Sequence, residues 1–365
     1  MKTFSEDFFA ESNFIKSQIE FNYLDNQAPI EREYDSNTVV NKGDICSSNN
    51  QIKNQDEVYH IAYNVNNGFI HIMGASVISV LENNKDKKFV VHIFTDGHSE
   101  ENSQKIEELA RKWHCHCILY TIDMKPFEDF HIKVARFSRI TYARLYMPKV
   151  IKKQAKRFIY LDADTMCCGD FKELWHLDMN GAPMGAVSEH PEAVTYRAGH
   201  LKLKNGKYFN DGVMLIDIDA WEKEQITEKS FAYQNEPRER FLGQSQDVLN
   251  LVFDGTNYFL PAKYNAFGGA VNFNGEPVIA HWTGRRKPWQ MVVTDIDAQW
   301  RYYNDLSPWE SITNILPIKK PENYHDFQQW GRYEKSKGNY GKYMQGIFWY
   351  AVLRTIYKLG GNKKN

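Results

Sequence analysis

Residues 157–166, RFIYLDADTM, decide how this chain is read. Phe158 to Leu161 form a short apolar run suited to a buried strand, and the run stops abruptly at Asp162-Ala163-Asp164. Two carboxylates one residue apart at the end of such a strand repel each other unless a cation or hydrogen-bond donors lie between them. A divalent metal is the economical explanation, and oxygen ligands favour Mg²⁺ or Mn²⁺. The competing reading is a strand-end turn in which Asp162 caps the next segment.

Outward from this stretch, apolar runs alternate with amphipathic ones. VYHIAYNV (58–65) precedes a helix expected over 70–83, FVVHIFTD (89–96) precedes one over 100–112, and CHCILYTI (115–122) precedes a helical stretch near 138–152. Later strands are expected around MGAVSE (184–189), GVMLIDI (212–218), YFLPA (258–262) and PVIAHW (277–282). The pattern predicts an α/β fold with a mostly parallel central sheet flanked by helices, and ligands in such sheets bind beyond the carboxyl ends of the strands. Asp162 and Asp164 stand at such an end.

The expected organisation has three parts. Residues 1–57 read as an acidic N-terminal extension and linker: residues 1–58 carry eleven acids against five bases, and 41–56 are polar without apolar periodicity. Residues 58–289 read as the catalytic-type domain, and 290–365 as a C-terminal helical region. From Arg332 to Asn365, eight bases and one acid interleave with Tyr343, Phe348, Trp349, Tyr350 and Tyr357. That combination suits a helix lying on a membrane surface, and it equally suits a terminal helix packed on the core.

Composition excludes several classes. Lys plus Arg number 45 against 46 Asp plus Glu, so there is no general basic field and no nucleic-acid partner is expected. No window reaches the length of a membrane span and the N-terminus lacks a signal-peptide pattern. Five poorly spaced cysteines fit a reducing compartment, so a cytoplasmic location is expected. His114-Cys115-His116-Cys117 offers four ligand types, but strand alternation sends the cysteines one way and the histidines the other.

A second cluster lies at PVIAHWTGRRKPW (277–289). His281 ends another apolar run and offers a third metal ligand, Gly284 permits close backbone approach to a phosphate, and Lys287 can neutralise a departing diphosphate. One alternative class of enzyme forms an aspartyl-phosphate at an Asp-x-Asp-x-Thr/Val motif. Here Met166 stands at the Thr/Val position and Thr165 comes one place early.

In its blocks HIAYNVNNGFIHIMGASVISVLENN (60–84), ITYARLYMP (140–148), FIYLDADTMCCGDFKELW (158–175), YFNDGVMLIDIDAW (208–221), GQSQDVLNLVF (243–253) and HWTGRRKPW (281–289), the chain resembles the family 8 glycosyltransferases. The likeness is greatest to bacterial lipopolysaccharide core hexosyltransferases and spans roughly residues 58–310. It implies a GT-A nucleotide-sugar fold in which Asp162, Asp164 and His281 hold Mn²⁺ or Mg²⁺ against the diphosphate of a UDP-sugar. It further implies that Ala62, Asn66 and Asn67 contact uridine, that Arg144, Ala163, Asn210, Asp211 and Ser245 contact the donor, and that Gly284 and Lys287 meet the diphosphate. Gln246 would face the anomeric carbon with Asp247 behind it, making Gln246, Asp247 and Lys287 the catalytic set for transfer with retention, the departing diphosphate taking the acceptor proton. Three positions depart from the family pattern: Asn66 replaces a common Asp, Gly68-Phe69 a common Asn-Tyr, and Ser245 the first Asp of Asp-Gln-Asp. A degenerate, non-catalytic scaffold is the reading those departures would favour. The implied partners are a UDP-hexose, a lipid-linked core oligosaccharide acceptor and, through 332–365, the anionic inner face of the cytoplasmic membrane.

Overall fold

The computed structural model describes residues 4–24, 57–132, 138–267, 277–284, 287–290, 292, 294–309, 324–336 and 338–359. The expected linker 41–56, Arg285 and Arg286, and Lys337 and residues 360–365 of the basic tail lie outside these residues. The strands are β1 (Ile15–Asn22), β2 (Val58–Val65), β3 (Lys88–Thr95), β4 (His116–Ile122), β5 (Arg157–Leu161), β6 (Thr165–Cys167), β7 (Met184–Ser188), β8 (Phe209–Asp217), β9 (Tyr258–Phe259) and β10 (Ile279–His281). The helices are α1 (Ile70–Asn83), α2 (Glu100–Lys112), α3 (Met147–Ile151), α4 (Lys172–Trp175), α5 (Pro191–Leu201), α6 (Ile218–Lys223), α7 (Ile226–Phe231), α8 (Ser245–Val252), α9 (Asp295–Leu306), α10 (Tyr324–Ser336) and α11 (Tyr340–Leu359).

Eight strands form one sheet in the order β1-β4-β3-β2-β5-β8-β7-β9. Its centre, β4-β3-β2-β5, is parallel, as the βα alternation predicts, because each crossover carries a helix over a face of the sheet. On one face α1 packs with Ile106 and Leu109 of α2 and with Trp300 of α9; on the other lie Leu145, Met147 of α3, Trp221 of α6, Phe231 of α7 and Leu249 of α8. Helix α2 starts at Ser99, whose side chain accepts from Asn102 N, and carries Glu100 and Glu101 in its first turn, a sequence-encoded N-terminus.

The expected boundaries need two corrections. Residues 15–22 belong to the sheet: β1 pairs antiparallel with β4 along its length, so the fold does not begin at Val58. Ile15, Ile19 and Phe21 repeat at even spacing, a strand signal that the acidic character of the segment obscures. Phe9 and Phe14 anchor this segment, Phe14 stacking on Tyr146 with ring centroids 3.7 Å apart. At the other end the core continues past Trp289. Trp300 and Trp309 are fully buried, and Gly74 of α1 admits Trp309, since a Cβ there would lie 2.5 Å from the indole. A third difference concerns PVIAHW, whose β10 pairs with β6 in a separate two-stranded ribbon rather than extending the main sheet.

Helices α10 and α11 pack against each other, with Gly331 and Gly346 at the contact; a Cβ on Gly346 would lie 2.7 Å from the Gly331 Cα. Tyr340, Met344, Phe348, Ile356, Tyr357 and Leu359 of α11 remain exposed. Among the described residues no helix is long and apolar enough to cross a membrane. Cys115 and Cys117 are both buried with their sulfurs 3.8 Å apart, while His116 faces Glu20 at 3.1 Å.

One buried polar pair crosses the sheet. His60 Nδ1 and His92 Nε2 are 3.0 Å apart, and His92 Nδ1 meets Tyr120 Oη at 3.2 Å. Burial, with the charge of His116 adding to it, lowers His60 to about 4 and His92 also falls well below the ordinary value. The unfolded imidazole takes its proton near ~6.5, so this contribution to stability is complete above that pH and is lost as pH falls from there towards 4. Urea unfolding between about pH 7.5 and about pH 4.5 is expected to show a loss on the order of 3 kcal/mol from His60, reduced in His60→Leu/His92→Phe. An unchanged slope in the double variant would refute the assignment.

Candidate active site

A cavity of about 540 Å³ opens where β2 and β5 end and β8 begins. The register explains the meeting. Ala62 of β2 lies beside Tyr160 of β5, and Leu161 opposes Val213 of the antiparallel β8, so Asn64, Asp162 and Asp211 emerge at one edge. Asp162 N donates to Gly212 O at 2.8 Å. The chain then turns tightly: Thr165 N and Thr165 Oγ1 both donate to Asp162 O, bringing Asp162 and Asp164 round to the same side. Because β10 pairs with β6, His281 sits opposite Thr165 and Trp282 N donates to Asp164 O at 3.1 Å.

Ligand atoms of Asp162, Asp164 and His281 lie within 4.8 Å of one another. His281 Nε2 is 3.2 Å from Asp164 Oδ1 and 3.8 Å from Asp162 Oδ2. Gly212 makes this approach possible: a Cβ there would stand 2.2 Å from His281 Cε1 and 2.9 Å from Asp162 Oδ2. Two carboxylate oxygens and one imidazole nitrogen, crowded onto a glycine, are a donor set that suits Mn²⁺ or Mg²⁺.

Two cations balance the carboxylates. Arg144 is buried, with Nη2 2.8 Å from Asp162 Oδ1, Nη1 2.6 Å from Asp211 Oδ2, and its guanidinium 4.4 Å above the Tyr160 ring. Lys287 Nζ lies 2.5 Å from Asp164 Oδ2 and also donates to the Trp282 carbonyl. Burial pushes the Asp164 carboxyl up, but the charge of Lys287 leads the opposing pull, and the group is held well below the usual range. For Asp211 burial prevails: its carboxyl rises to about 6 against the opposing pull of Arg144 and Ser245.

Helix α8 presents Ser245 and Gln246 to the same cavity from its first turn. Ser245 Oγ donates to Asp211 Oδ2 at 3.0 Å, and Gln246 Oε1 accepts from Asn210 Nδ2 at 3.3 Å. The preceding Gln244 holds φ +57°, a conformation that side chains other than glycine rarely adopt.

Most expected site residues meet here. Asn66, Arg144, Asp162, Ala163, Asp164, Asn210, Asp211, Ser245, Gln246, His281 and Lys287 all line the cavity. Four do not. Ala62 is buried in the sheet core: it shares a face of β2 with Asn64 but lies two residues deeper along the strand, short of the cavity. The Asn67 side chain accepts from Ser99 N and Asn102 Nδ2, each at 2.8 Å, joining the turn to α2. Gly284 is exposed and a Cβ there would meet no atom within 4 Å. Asp247 is fully buried behind the wall, accepting from Tyr208 Oη, Leu242 N and Gly243 N at 2.5–2.6 Å. It shapes the loop before α8 and does not touch the cavity.

Asn64, inside the stretch 62–67 expected to hold uridine, and Phe69, a departure from the family pattern, also line the cavity; the sequence reading missed Thr141, Glu189 and Arg197, which line it too, and Gly212 and Asn265, which pack against and hydrogen-bond His281. Asn64 is detectable as the residue two places beyond Ala62 on the same strand. Arg197, on α5, carries no local signal.

Residues 60–292 match the family described as Glycosyl transferase family 8. A lipopolysaccharide 1,2-glucosyltransferase of Escherichia coli is 29% identical over 315 residues, covering 80% of this chain and 89% of the relative. A lipopolysaccharide 1,3-galactosyltransferase of Salmonella typhimurium is 27% identical, covering 71% and 82%. The solved galactosyltransferase LgtC, in complex with donor and acceptor sugar analogs, superposes with a TM-score of 0.62 at 20% identity, covering 69% of this chain and 99% of that one. That likeness identifies the architecture as the GT-A fold expected from the motifs. With the family matched across most of its length, and its blocks converging on one cavity, the chain belongs to glycosyl transferase family 8.

Proposed function

We propose that this protein is a retaining, metal-dependent hexosyltransferase that moves glucose or galactose from its UDP-sugar to a hydroxyl of a lipid-linked lipopolysaccharide core oligosaccharide. The observation that carries the reading is that Asp162, Asp164 and His281 cluster in one cavity that Gln246 also lines, with Arg144 and Lys287 beside the acids. When bound at Asp162, Asp164 and His281, the divalent cation supplies charge neutralisation to the diphosphate. Lys287 adds a second positive charge for the same leaving group. Gln246, Asn210 and Ser245 hold the transferred sugar, with Gln246 steadying the cation-like anomeric centre as the bond to UDP breaks. Ser245 offers one compact hydroxyl where relatives place a carboxylate, so it bears on which hexose epimer is taken.

The aspartyl-phosphate reading gains no support from the geometry. Asp162 Oδ1 is occupied by Arg144 and by Tyr160 Oη at 2.6 Å, a poor disposition for a nucleophile. The test is UDP release across UDP-glucose, UDP-galactose and UDP-N-acetylhexosamines, with Mn²⁺ and with chelator. Metal-dependent UDP release from a hexose donor is the expected result, and silence with every donor from folded protein would favour the scaffold reading.

The exposed aromatic and aliphatic residues of α11, interleaved with Lys342, Arg354 and Lys358, support placement at the anionic inner face of the cytoplasmic membrane. A chain ending at residue 323 is expected to lose sedimentation with vesicles containing anionic lipid while still binding UDP. Equal sedimentation of the two chains would refute this placement.

A further inference from the structure

A continuous run of buried amides connects the proposed metal site to the residue proposed to face the sugar. His281 Nδ1 is 2.9 Å from Asn265 Oδ1, Asn265 Nδ2 is 2.9 Å from Asn210 Oδ1, and Asn210 Nδ2 is 3.3 Å from Gln246 Oε1. His281, Asn265 and Asn210 are 4%, 1% and 5% exposed, so their hydrogen bonds must be made with one another rather than with bulk water.

A backbone group dictates the direction of every proton in this run. Gly212 N–H, which can only donate, lies 3.0 Å from the Asn210 side chain, so the oxygen of that amide faces Gly212. The other end of the Asn210 amide agrees: it lies 3.0 Å from Glu189 Oε1, a carboxylate oxygen that accepts from an NH₂ group. Asn265 must therefore present its own NH₂ to Asn210 Oδ1 and its oxygen to His281. That oxygen only accepts, so Nδ1 of His281 carries the proton, and in the neutral ring Nε2 keeps its lone pair. Nε2 is the atom that faces Asp164 and Asp162. The backbone holds the partners in place: Ala266 N donates to Ile279 O, and His281 N donates to Ala266 O, both at 2.9 Å.

We propose that Asn265 is a positioning residue that, through Asn210, relays the orientation of the Gly212 N–H to His281 and fixes the imidazole as the Nδ1–H tautomer, with Nε2 free for a divalent cation. The same relay engages the Gln246 oxygen, which accepts from Asn210 Nδ2 and from the Asp211 N–H at 3.4 Å. Metal ligation and the placement of Gln246 are thus set by one hydrogen-bonded unit. The metal half of this inference rests on the reading given under the proposed function; the tautomer does not.

The experiment uses the full chain labelled with ¹⁵N-histidine, whose long-range ¹H–¹⁵N correlations report the His281 tautomer at about pH 8, above the ordinary histidine range. It is paired with calorimetric titration of Mn²⁺ in the presence of UDP. Wild type is expected to show Nδ1–H. Asn265→Leu removes the acceptor: the tautomer preference is expected to disappear and Mn²⁺ affinity to fall about 10- to 100-fold, the usual scale for removing a partner that orients a metal ligand. Asn265→Asp still accepts from Nδ1–H but cannot donate to Asn210, so tautomer and Mn²⁺ affinity should stay within about threefold of wild type while kcat falls more than KM changes. A wild-type ring protonated at Nε2, or Asn265→Leu retaining both tautomer and affinity, overturns the proposal. If Asn265→Leu fails to fold, Asn265→Asp decides: wild-type kcat in that variant refutes the link to Gln246, and loss of Nδ1–H refutes the link to His281. A wild type with the Nδ1–H ring that binds no Mn²⁺ would overturn the metal reading and leave the relay standing.

Discussion

Adding a single methyl group at Gly212 is expected to lower metal-dependent UDP release by about 100-fold or more and to weaken Mn²⁺ binding in parallel. The ideal Cβ would stand 2.2 Å from His281 Cε1, 2.8 Å from its Nδ1 and 2.9 Å from Asp162 Oδ2. Something must move, and the surroundings decide what. Asp162 is tied to Arg144 and Tyr160, and His281 is pinned by Asn265 and by its place in β10. The ring is the weaker side of that contest, and a displacement of ~1 Å at a reacting centre typically costs ~10²-fold. Overpacking should cost stability only ~1–3 kcal/mol, so the variant remains folded and the loss is local. Gly199→Ala on α5, where a Cβ meets no atom within 4 Å, is the matched control expected to behave as wild type. Near-normal Mn²⁺ affinity in Gly212→Ala would show that His281 is not held where the structure has it.

Arg144→Met is expected to destabilise the protein by about 3–5 kcal/mol, the usual cost of stripping one partner from a buried ion pair. The guanidinium is 4% exposed and bridges Asp162 and Asp211 at 2.8 and 2.6 Å, and also donates to the Asp211 carbonyl at 2.9 Å. Its removal leaves the buried Asp211 without its principal counter-charge. The pH dependence has a definite sign. Burial already raises this carboxyl to about 6, and loss of Arg144 raises it further. A carboxyl whose folded pKa exceeds its unfolded value, near ~3.9, contributes stability that is fully present below that value and lost as pH rises through the folded pKa. The deficit of the variant should therefore grow between about pH 5 and about pH 8, and Arg144→Met/Asp211→Asn should recover part of it. Lysine at 144 keeps the charge but not the fork, so it should fall between wild type and Met. Thermal melts across that pH range provide the measurement; a deficit independent of pH would remove Asp211 from the explanation.

The elements legible from sequence are those whose signal is local. Helix α1 spans the predicted 70–83 and α2 the predicted 100–112, since apolar spacing and, for α2, a Ser99 cap with acids behind it are written within a few residues. The edge strand β1 was hidden because an edge strand with one polar face reads as an acidic extension, and only its pairing with β4 and the burial of Phe14 give it away. The reach of the core to Trp309 was hidden because it depends on the absence of a side chain at Gly74, 235 positions earlier.

The site divides in the same way. Chemical type is a property of residues, so Asp162, Asp164, His281 and Lys287 announced themselves in the sequence by kind and by neighbouring motif, while Gln246 stood out only through the resemblance of its block to the family. Relation in space is a property of pairings distant along the chain. That β10 lies against β6 and not in the main sheet is what brings His281 within 3.2 Å of Asp164. Depth along β2 puts Ala62 in the core and Asn64 at the cleft, burial behind α8 gives Asp247 a supporting place, and the missing Cβ of Gly212 leaves room for a ring whose proton is assigned through two amides. Sequence alone determined which chemistry this chain can hold. Tertiary structure decided which atoms face one another, because hydrogen-bond direction and steric room depend on distances of a few ångströms between segments that sequence order leaves far apart.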